Sequence, residues 1–220
     1  MTTITVGGHA LTLLPEKAAL LPESHTLLVA DAHIGKAVSF RRLGVPVPRG
    51  TTTETLGVLT TLVARLAVQR IVFLGDFFHS VRSHAASTMD AAARWRGEHA
   101  ALELTLVRGN HDDRAGDPPA HLGITAVDEP LQLGGLALCH HPDTVTEGYV
   151  LAGHVHPCIR LAGRAHDSLR LPCFWFGPQV GVLPAFGSFT GMHAVRPEPG
   201  DRVFGVADDK VLELPPKPPT

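Results

Sequence analysis

Residues 26–33, TLLVADAH, and residues 71–76, IVFLGD, decide the fold of this chain. In each stretch a short apolar run ends directly before a side chain that can bind a metal ion. Runs of four to six apolar residues bounded in this way predict buried β-strands. The pattern recurs at residues 102–111 (LELTLVRGNH), 136–141 (LALCHH) and 149–156 (YVLAGHVH). We therefore predict five buried strands, each followed at once by potential metal ligands.

The segments between the first three runs have helical periodicity. Leucines recur at helical spacing within residues 51–68, and Thr51 with Glu54 predicts a capping box at the start of that helix. Residues 85–100 are rich in alanine and predict a second helix. Alternation of strand and helix over residues 26–107 is typical of a right-handed βαβ arrangement with a parallel sheet.

The second half of the chain has a different pattern. Gly134 and Gly135 separate two short apolar runs and predict a tight hairpin. After residue 165, short runs broken by glycine and proline predict an antiparallel meander that completes a second sheet. We expect residues 1–214 to form a single domain and residues 215–220 to form a proline-rich tail.

Composition excludes several classes of protein. The 220 residues carry 19 Lys and Arg against 21 Asp and Glu, so the net charge of −2 argues against a broad basic surface for duplex DNA. The sequence has no apolar run of membrane-spanning length and no basic segment of a signal peptide at its start, so we expect a soluble, cytoplasmic protein. The three cysteines form no CxxC pair, which favours buried, inert thiols.

The 14 histidines are the unusual feature of the composition, because several of them follow the predicted strands beside Asp, Asn and Gly. The carboxyl ends of neighbouring strands converge at one crevice in open α/β sheets. Carboxylate, imidazole and amide ligands together suit Mn, Fe or Zn. Six or seven such ligands exceed the need of one ion and predict two ions that share a carboxylate. The alternative is a set of ordinary strand-end turns with solvated polar residues.

Five short motifs carry a resemblance to a known superfamily. The chain resembles the calcineurin-like metallophosphoesterases, whose motifs match in order Asp31-Ala32-His33, Gly75-Asp76, Gly109-Asn110-His111-Asp112, His140 and Gly153-His154-Val155-His156. The resemblance implies an α/β fold, a four-layer metallophosphoesterase sandwich in which two mixed β-sheets are flanked by helices. Outside the motifs, DAHIGKAVSFRRLGVPVPRG, GDFFHS and LPAFGSFTG are similar to the ligase-associated DNA-damage-response endonucleases of the PdeM family.

The superfamily resemblance also implies roles for individual residues. The first metal ion is expected on Asp31, His33 and His156, the second on Asn110, His140 and His154, with Asp76 bridging both. His141 stays an alternative to His140, which is preferred because it directly follows the strand LALC.

His111 has the position of the group that protonates the leaving oxygen or donates a hydrogen bond to the phosphate. Asp112 is expected to orient the His111 imidazole and raise its basicity. Both residues are therefore predicted to be catalytic.

Three further residues are candidates for substrate binding. His79 follows Asp76 closely enough for the turn to bring it to the phosphate, with an ordinary surface histidine as the alternative. Arg41 and Arg42 lie in a run from residue 36 to residue 49 that has four positive charges and no acid. The run predicts a phosphodiester-binding loop, with a solvated basic loop as the alternative.

The function implied by the narrower resemblance is a Mn-dependent DNA endonuclease in DNA repair. It would hydrolyse phosphodiesters with a hydroxide held between two divalent metal ions, for which Fe or Zn are alternatives to Mn. The expected partners are single-stranded or structured DNA, a functional link to a DNA ligase and a helicase, and a second copy in a homodimer. Two other functions are alternatives. One is a small-molecule nucleotide phosphodiesterase or phosphomonoesterase that uses the same metals, and the other is a non-catalytic scaffold.

Overall fold

The parallel strands that the sequence predicts form the centre of a seven-stranded sheet in a computed structural model, which describes residues 1–47, 50–162 and 168–215. In order across this sheet the strands are β1 (Thr2–Val6), β2 (His9–Leu13), β3 (Ala19–Leu21), β4 (Thr26–Ala30), β5 (Arg70–Leu74), β6 (Glu103–Val107) and β7 (Ile124–Val127). The strands β1 to β4 pair in antiparallel fashion, whereas β4 to β7 are parallel. The predicted parallel arrangement is confirmed.

A nine-stranded sheet faces the first one. Its strands are β8 (Leu131–Leu133), β9 (Leu136–Leu138), β10 (Tyr149–Ala152), β11 (Pro157–Ala162), β12 (Ser168–Phe176), β13 (Val180–Val182), β14 (His193–Ala194), β15 (Arg202–Ala207) and β16 (Lys210–Glu213). Their order is β14-β11-β12-β13-β10-β9-β8, and β15 joins β12 to β16. The strands β9, β10 and β13 are parallel, so this sheet is mixed rather than a simple meander.

Four α-helices lie in the described part of the chain: α1 (Lys36–Arg42), α2 (Thr51–Leu66), α3 (Ala86–Glu98) and α4 (Asp112–Ala115). The predicted capping box of α2 is wrong. Gly50 is the N-cap, in a left-handed conformation and without a side-chain hydrogen bond to the helix, so Thr51 is already the first helical residue. None of these helices is long and apolar enough to cross a membrane.

The core has two parts because side chains alternate between the faces of each strand. In β4, Leu27 and Val29 pack with α2 and α3 on one face, whereas Leu28 packs between the two sheets. Phe174 of β12 fills the space between the sheets from the opposite side. The predicted architecture of two mixed sheets flanked by helices is confirmed.

The connections in the second half agree in part with the sequence analysis. Residues 131–138 form the predicted antiparallel hairpin through Gly134 and Gly135. The three cysteines are buried and unpaired, as expected. Residues 216–220, which contain most of the predicted tail, and Arg49 of the basic run lie outside the described residues.

Candidate metal centre

The predicted metal ligands meet at the carboxyl edge of β4, β5 and β6, next to the ends of β9 and β10. This happens because each ligand follows its strand within a few residues, and because both sheets present these strand ends at the same place. The residues that come together are Asp31, His33, Asp76, Asn110, His140, His154 and His156.

One group of ligand atoms lies on the β4 side of the centre. The Nε2 atoms of His33 and His156 are 3.4 Å apart, and His156 Nε2 lies 3.5 Å from Asp31 Oδ1. Ligand atoms placed about 2.0–2.2 Å from a common ion are separated by roughly 3–3.5 Å, so these spacings fit one cation. Asp31 is fully buried and its Oδ1 has no hydrogen-bond partner among the described residues, which leaves lone pairs for an ion.

A second group lies on the β6 side. His140 Nε2 is 3.1 Å from Asn110 Oδ1 and 3.0 Å from His154 Nδ1. His141 also has a ring nitrogen within reach of this group, so the predicted ligand His140 and its alternative His141 lie side by side. His140 is fully buried, whereas His141 is half-buried and its Nδ1 is 2.7 Å from Glu129 Oε1.

Asp76 lies between the two groups. Its Oδ2 is 3.9 Å from His33 Nε2, and its Oδ1 is 3.6 Å from His140 Nε2. Oδ1 also accepts a hydrogen bond from the His111 backbone amide at 2.9 Å. One carboxylate therefore presents a separate oxygen to each group, as a bridging ligand requires.

The backbone is strained at five of the seven residues. They all have positive φ values, from 46° to 67°, in the left-handed region that non-glycine residues rarely adopt: Asp31, His33, Asp76, His154 and His156. Such strain persists only where the surroundings impose it, and it concentrates at functional sites. Its concentration on predicted ligands is a structural sign of function that is independent of the motifs.

Two glycines let the backbone approach these ligands closely. Gly75 has a φ of 76°, and a Cβ atom there would overlap the imidazole of His140. A Cβ at Gly153 would lie 2.7 Å from Asp31 Oδ2, inside van der Waals contact. The amide after Gly153, that of His154, donates to this same Oδ2 at 2.9 Å.

Backbone carbonyl groups orient two of the ligand imidazoles. The Nδ1 atom of His140 donates to the carbonyl oxygen of Leu74 at 3.1 Å, and that of His156 donates to Gly191 at 3.0 Å. With Nδ1 carrying the proton, each Nε2 keeps a lone pair that faces the other ligands.

The charge states also suit cation binding. Burial lowers the pKa of His33 far below its ordinary value, and the nearby Lys36 ammonium lowers it further. Burial likewise lowers the pKa of His154, with His140 and His141 adding to the shift. Neutral imidazoles and carboxylates are the ligand forms that bind metal ions, so the residues present fit divalent cations.

His111 lies at the edge of the centre, and its surroundings correct one prediction. Its Nε2 is 3.9 Å from Asp76 Oδ2, and its Nδ1 is 2.7 Å from the carbonyl oxygen of His79.

The predicted orienting role of Asp112 is wrong, because both oxygens of its carboxylate accept hydrogen bonds from backbone amides. Oδ1 accepts from the amides of Phe77 and Phe78, and Oδ2 accepts from the amide of Gly109. Burial raises the pKa of Asp112 to about 6 despite these bonds. Asp112 joins the turns after β5 and β6, which is a structural role.

The three predicted substrate-binding residues have different outcomes. The His79 ring stacks on His111 with centroids 4.9 Å apart, so His79 lies beside the candidate metal centre. Burial, Lys36 and His111 together lower the pKa of His79 to about 4. Arg41 instead lines a separate cavity of about 560 Å³ with the first turn of α2. The side chain of Arg42 lies outside the described part of the chain.

Two supporting residues had no sequence signal. Glu129 accepts the backbone amides of His140 and His141 at 2.7 and 2.9 Å. Burial acts to raise the pKa of Glu129, but the hydrogen bonds from His141 and His140 outweigh it and the pKa falls. Lys17 donates through Nζ to the carbonyl oxygens of Phe186 and Gly187, in the loop that continues to Gly191. Neither residue follows a predicted strand or belongs to a motif, so only its tertiary contacts identify it.

Together, the fold and the paired His, Asp and Asn groups define an enzyme of the metallophosphoesterase class. The Pseudomonas putida nuclease MPE is 42% identical to this chain, with 97% of this chain and 99% of that one covered and a TM-score of 0.85. The chain belongs to the same family as this nuclease. The Escherichia coli phosphoesterase Yfce is 13% identical, with 86% and 97% of the two chains covered and a TM-score of 0.45. No protein-family profile and no curated protein matched the chain.

Proposed function

We propose that this protein is a dinuclear, metal-dependent phosphodiesterase that cleaves DNA strands internally. The observation that carries the chemistry is the position of Asp76, whose two oxygens face two separate groups of ligand atoms. The nucleic-acid substrate is supported by the 42% identity to a nuclease over almost the whole chain.

Each proposed ion has three ligands besides Asp76. Asp31, His33 and His156 would hold one, and Asn110, His140 and His154 would hold the other. When bound, the ions supply positive charge that stabilises the transition state and lowers the pKa of bound water. The mixture of carboxylate, imidazole and amide ligands suits Mn²⁺, Fe²⁺ or Zn²⁺. Mn²⁺ is the proposed metal because the resemblance to the PdeM family implies it.

The protein's own residues position the proton that the reaction needs. Hydrolysis breaks the bond between phosphorus and the leaving oxygen, and that oxygen must receive a proton. Because the Nδ1 proton of His111 is held by the His79 carbonyl, Nε2 is the atom that delivers the proton. The buried Lys36, whose charge interacts with Asp76 and Asp31, adds positive potential beside the phosphate.

The more specific proposal is a Mn²⁺-dependent endonuclease of the PdeM type, acting on single-stranded or structured DNA during repair in the cytoplasm. Functional links to a DNA ligase and a helicase, and a homodimer of the single domain, belong to the same proposal. The three sequence segments that resemble PdeM support it, and one of them, LPAFGSFTG, forms the loop whose Gly191 carbonyl group orients His156.

The deciding experiment is cleavage of circular single-stranded DNA in the presence of Mn²⁺, because a circle offers no end to an exonuclease or a phosphomonoesterase. We expect the wild type to open the circle and the His111→Ala variant, with equal metal content, to leave it closed. Fe²⁺ and Zn²⁺ in place of Mn²⁺ test the choice of metal. An intact circle, together with hydrolysis of bis-(p-nitrophenyl) phosphate, would instead indicate a small-molecule phosphodiesterase.

A further inference from the structure

A groove of about 520 Å³ opens from the metal centre at His111. Its walls are formed by His79, Ser80, Val81, Arg82, His111 and Arg114. Two of these residues, His79 and His111, lie beside the candidate metal centre, so the groove is continuous with the place where a phosphodiester would be cleaved. The function proposed above uses neither arginine.

Both arginines have their charge available. Arg82 and Arg114 are exposed, and neither guanidinium has an ion-pair or hydrogen-bond partner among the residues that the structure describes. The start of β5 offers a contrast, because Arg70 there forms an ion pair with Glu103 at 2.8 Å. Two unpaired positive charges in one groove favour an anionic ligand.

Local structure fixes the two arginines relative to the two histidines. Arg114 lies three residues after His111 in the short helix α4, and its amide donates to the His111 carbonyl at 3.2 Å. Arg82 lies three residues after His79, in a 3-10 helix over Val81–His84 that Ser80 and Ser83 cap reciprocally. The backbone of each arginine is therefore held close to one of the two histidines that line the groove.

We propose that Arg82 and Arg114 bind the phosphate next to the scissile one, on the leaving-group side of a nucleic acid strand. This inference rests on the proposed function and names the part of the substrate that the groove recognises. His111 is expected to protonate the leaving oxygen, so the strand that departs must pass along the groove that His111 lines. The next phosphate on that strand carries a further negative charge, and a guanidinium fork matches phosphate geometry.

The exposed Val81 adds an apolar surface to the wall of this groove, with 64% of its area accessible. A sugar or base beside the flanking phosphate would cover it, whereas an isolated phosphate would not. The groove thus selects a polynucleotide over a small phosphodiester, which has no second phosphate for the arginines.

The test uses the full-length, Mn²⁺-loaded enzyme with three substrates and two kinds of variant. The variants are Arg82→Ala, Arg114→Ala and their combination, with Arg70→Ala as a control that removes the same charge at the opposite, amino end of β5. The substrates are bis-(p-nitrophenyl) phosphate and a single-stranded oligonucleotide. A second oligonucleotide carries one uncharged methylphosphonate at the flanking position.

We expect the double variant to lose about tenfold or more in kcat/KM on the oligonucleotide and to keep its rate on the small ester within about twofold. The salt dependence should weaken by a slope of about 0.7, the value for one phosphate contact on a single strand. The methylphosphonate should slow the wild type but have no further effect on the double variant. Arg70→Ala should change none of these quantities.

Equal losses on both substrates would overturn the assignment, because they would mean that the substitutions disturb His111 itself. Unchanged oligonucleotide cleavage by the double variant would overturn it as well. A wild type that hydrolyses the small ester but no oligonucleotide would refute the proposed function, and the assignment with it.

Discussion

The imidazole Nδ1 of His111 lies 2.7 Å from the backbone carbonyl oxygen of His79. A main-chain oxygen therefore accepts the Nδ1 proton of the proposed proton donor. The His79 side chain is free to stack on His111 from the same turn. Substitution of His111 and substitution of His79 should therefore have different effects on turnover.

Replacement of His111 by alanine removes the proton donor itself. We expect turnover on a phosphodiester to fall on the order of 10² to 10⁴-fold, with metal content unchanged. His79→Ala keeps the carbonyl group that orients His111, so its loss should be less than about tenfold. Steady-state kinetics with metal analysis of each variant checks both values. A larger loss for His79→Ala than for His111→Ala would contradict this assignment.

Replacement of Asp76 by alanine removes the carboxylate that faces both groups of ligands. Because each group would lose one oxygen at once, we expect the purified variant to contain close to no bound metal. Asp113→Ala, an exposed carboxylate three residues from Asn110, is the matched control and should keep its metal. Inductively coupled plasma mass spectrometry measures the metal content. Full occupancy in Asp76→Ala would exclude a bridging role.

Two glycine-to-alanine substitutions should have opposite effects. At Gly75 the Cβ would overlap His140 and the φ of 76° disfavours alanine, so we expect a loss of at least about 3 kcal/mol or of metal binding. Gly57 lies on the exposed side of α2 with no atom within 4 Å of an added Cβ. Alanine there should stabilise the protein by about 0.5–1 kcal/mol. Urea unfolding of both variants measures the difference, and similar values would contradict the close contact at Gly75.

Lys17 should make stability depend on pH in alkaline solution. Burial lowers the pKa of Lys17 to about 8 from its ordinary 10.5. Between these pH values the unfolded chain binds more protons than the folded one, so this group's contribution to the free energy of unfolding rises with pH. The rise should be on the order of 2–3 kcal/mol between pH 8 and pH 10.5.

The Lys17→Met variant isolates this contribution. Cys139 and Tyr149, whose pKa values burial raises to about 11 and about 12, act in the opposite direction in both proteins and cancel in the comparison. We expect the difference in unfolding free energy between the two proteins to change over this pH range. Parallel curves in urea unfolding from pH 7.5 to pH 10.5 would show that Lys17 keeps its ordinary pKa.

The sequence by itself determined the five strands that carry the candidate ligands, and the ligand types. The run TLLVA predicts a strand over the same residues, Thr26–Ala30, that the structure has, and YVLA does so for Tyr149–Ala152. These predictions succeed because burial on both faces demands a continuous apolar run, and because a strand must end before polar side chains can leave the core. Ligand chemistry is a property of the residue type and needs no coordinates.

Tertiary structure alone decided which groups hold these ligands in place. Lys17 meets Phe186 across 169 positions of the sequence, and Glu129 reaches the amides of His140 and His141. Asp112 contacts backbone amides after β5 rather than the neighbouring imidazole, although adjacency in sequence favoured the imidazole. Contacts between distant segments leave no periodic pattern, since they depend on where two sheets bring their strand ends together.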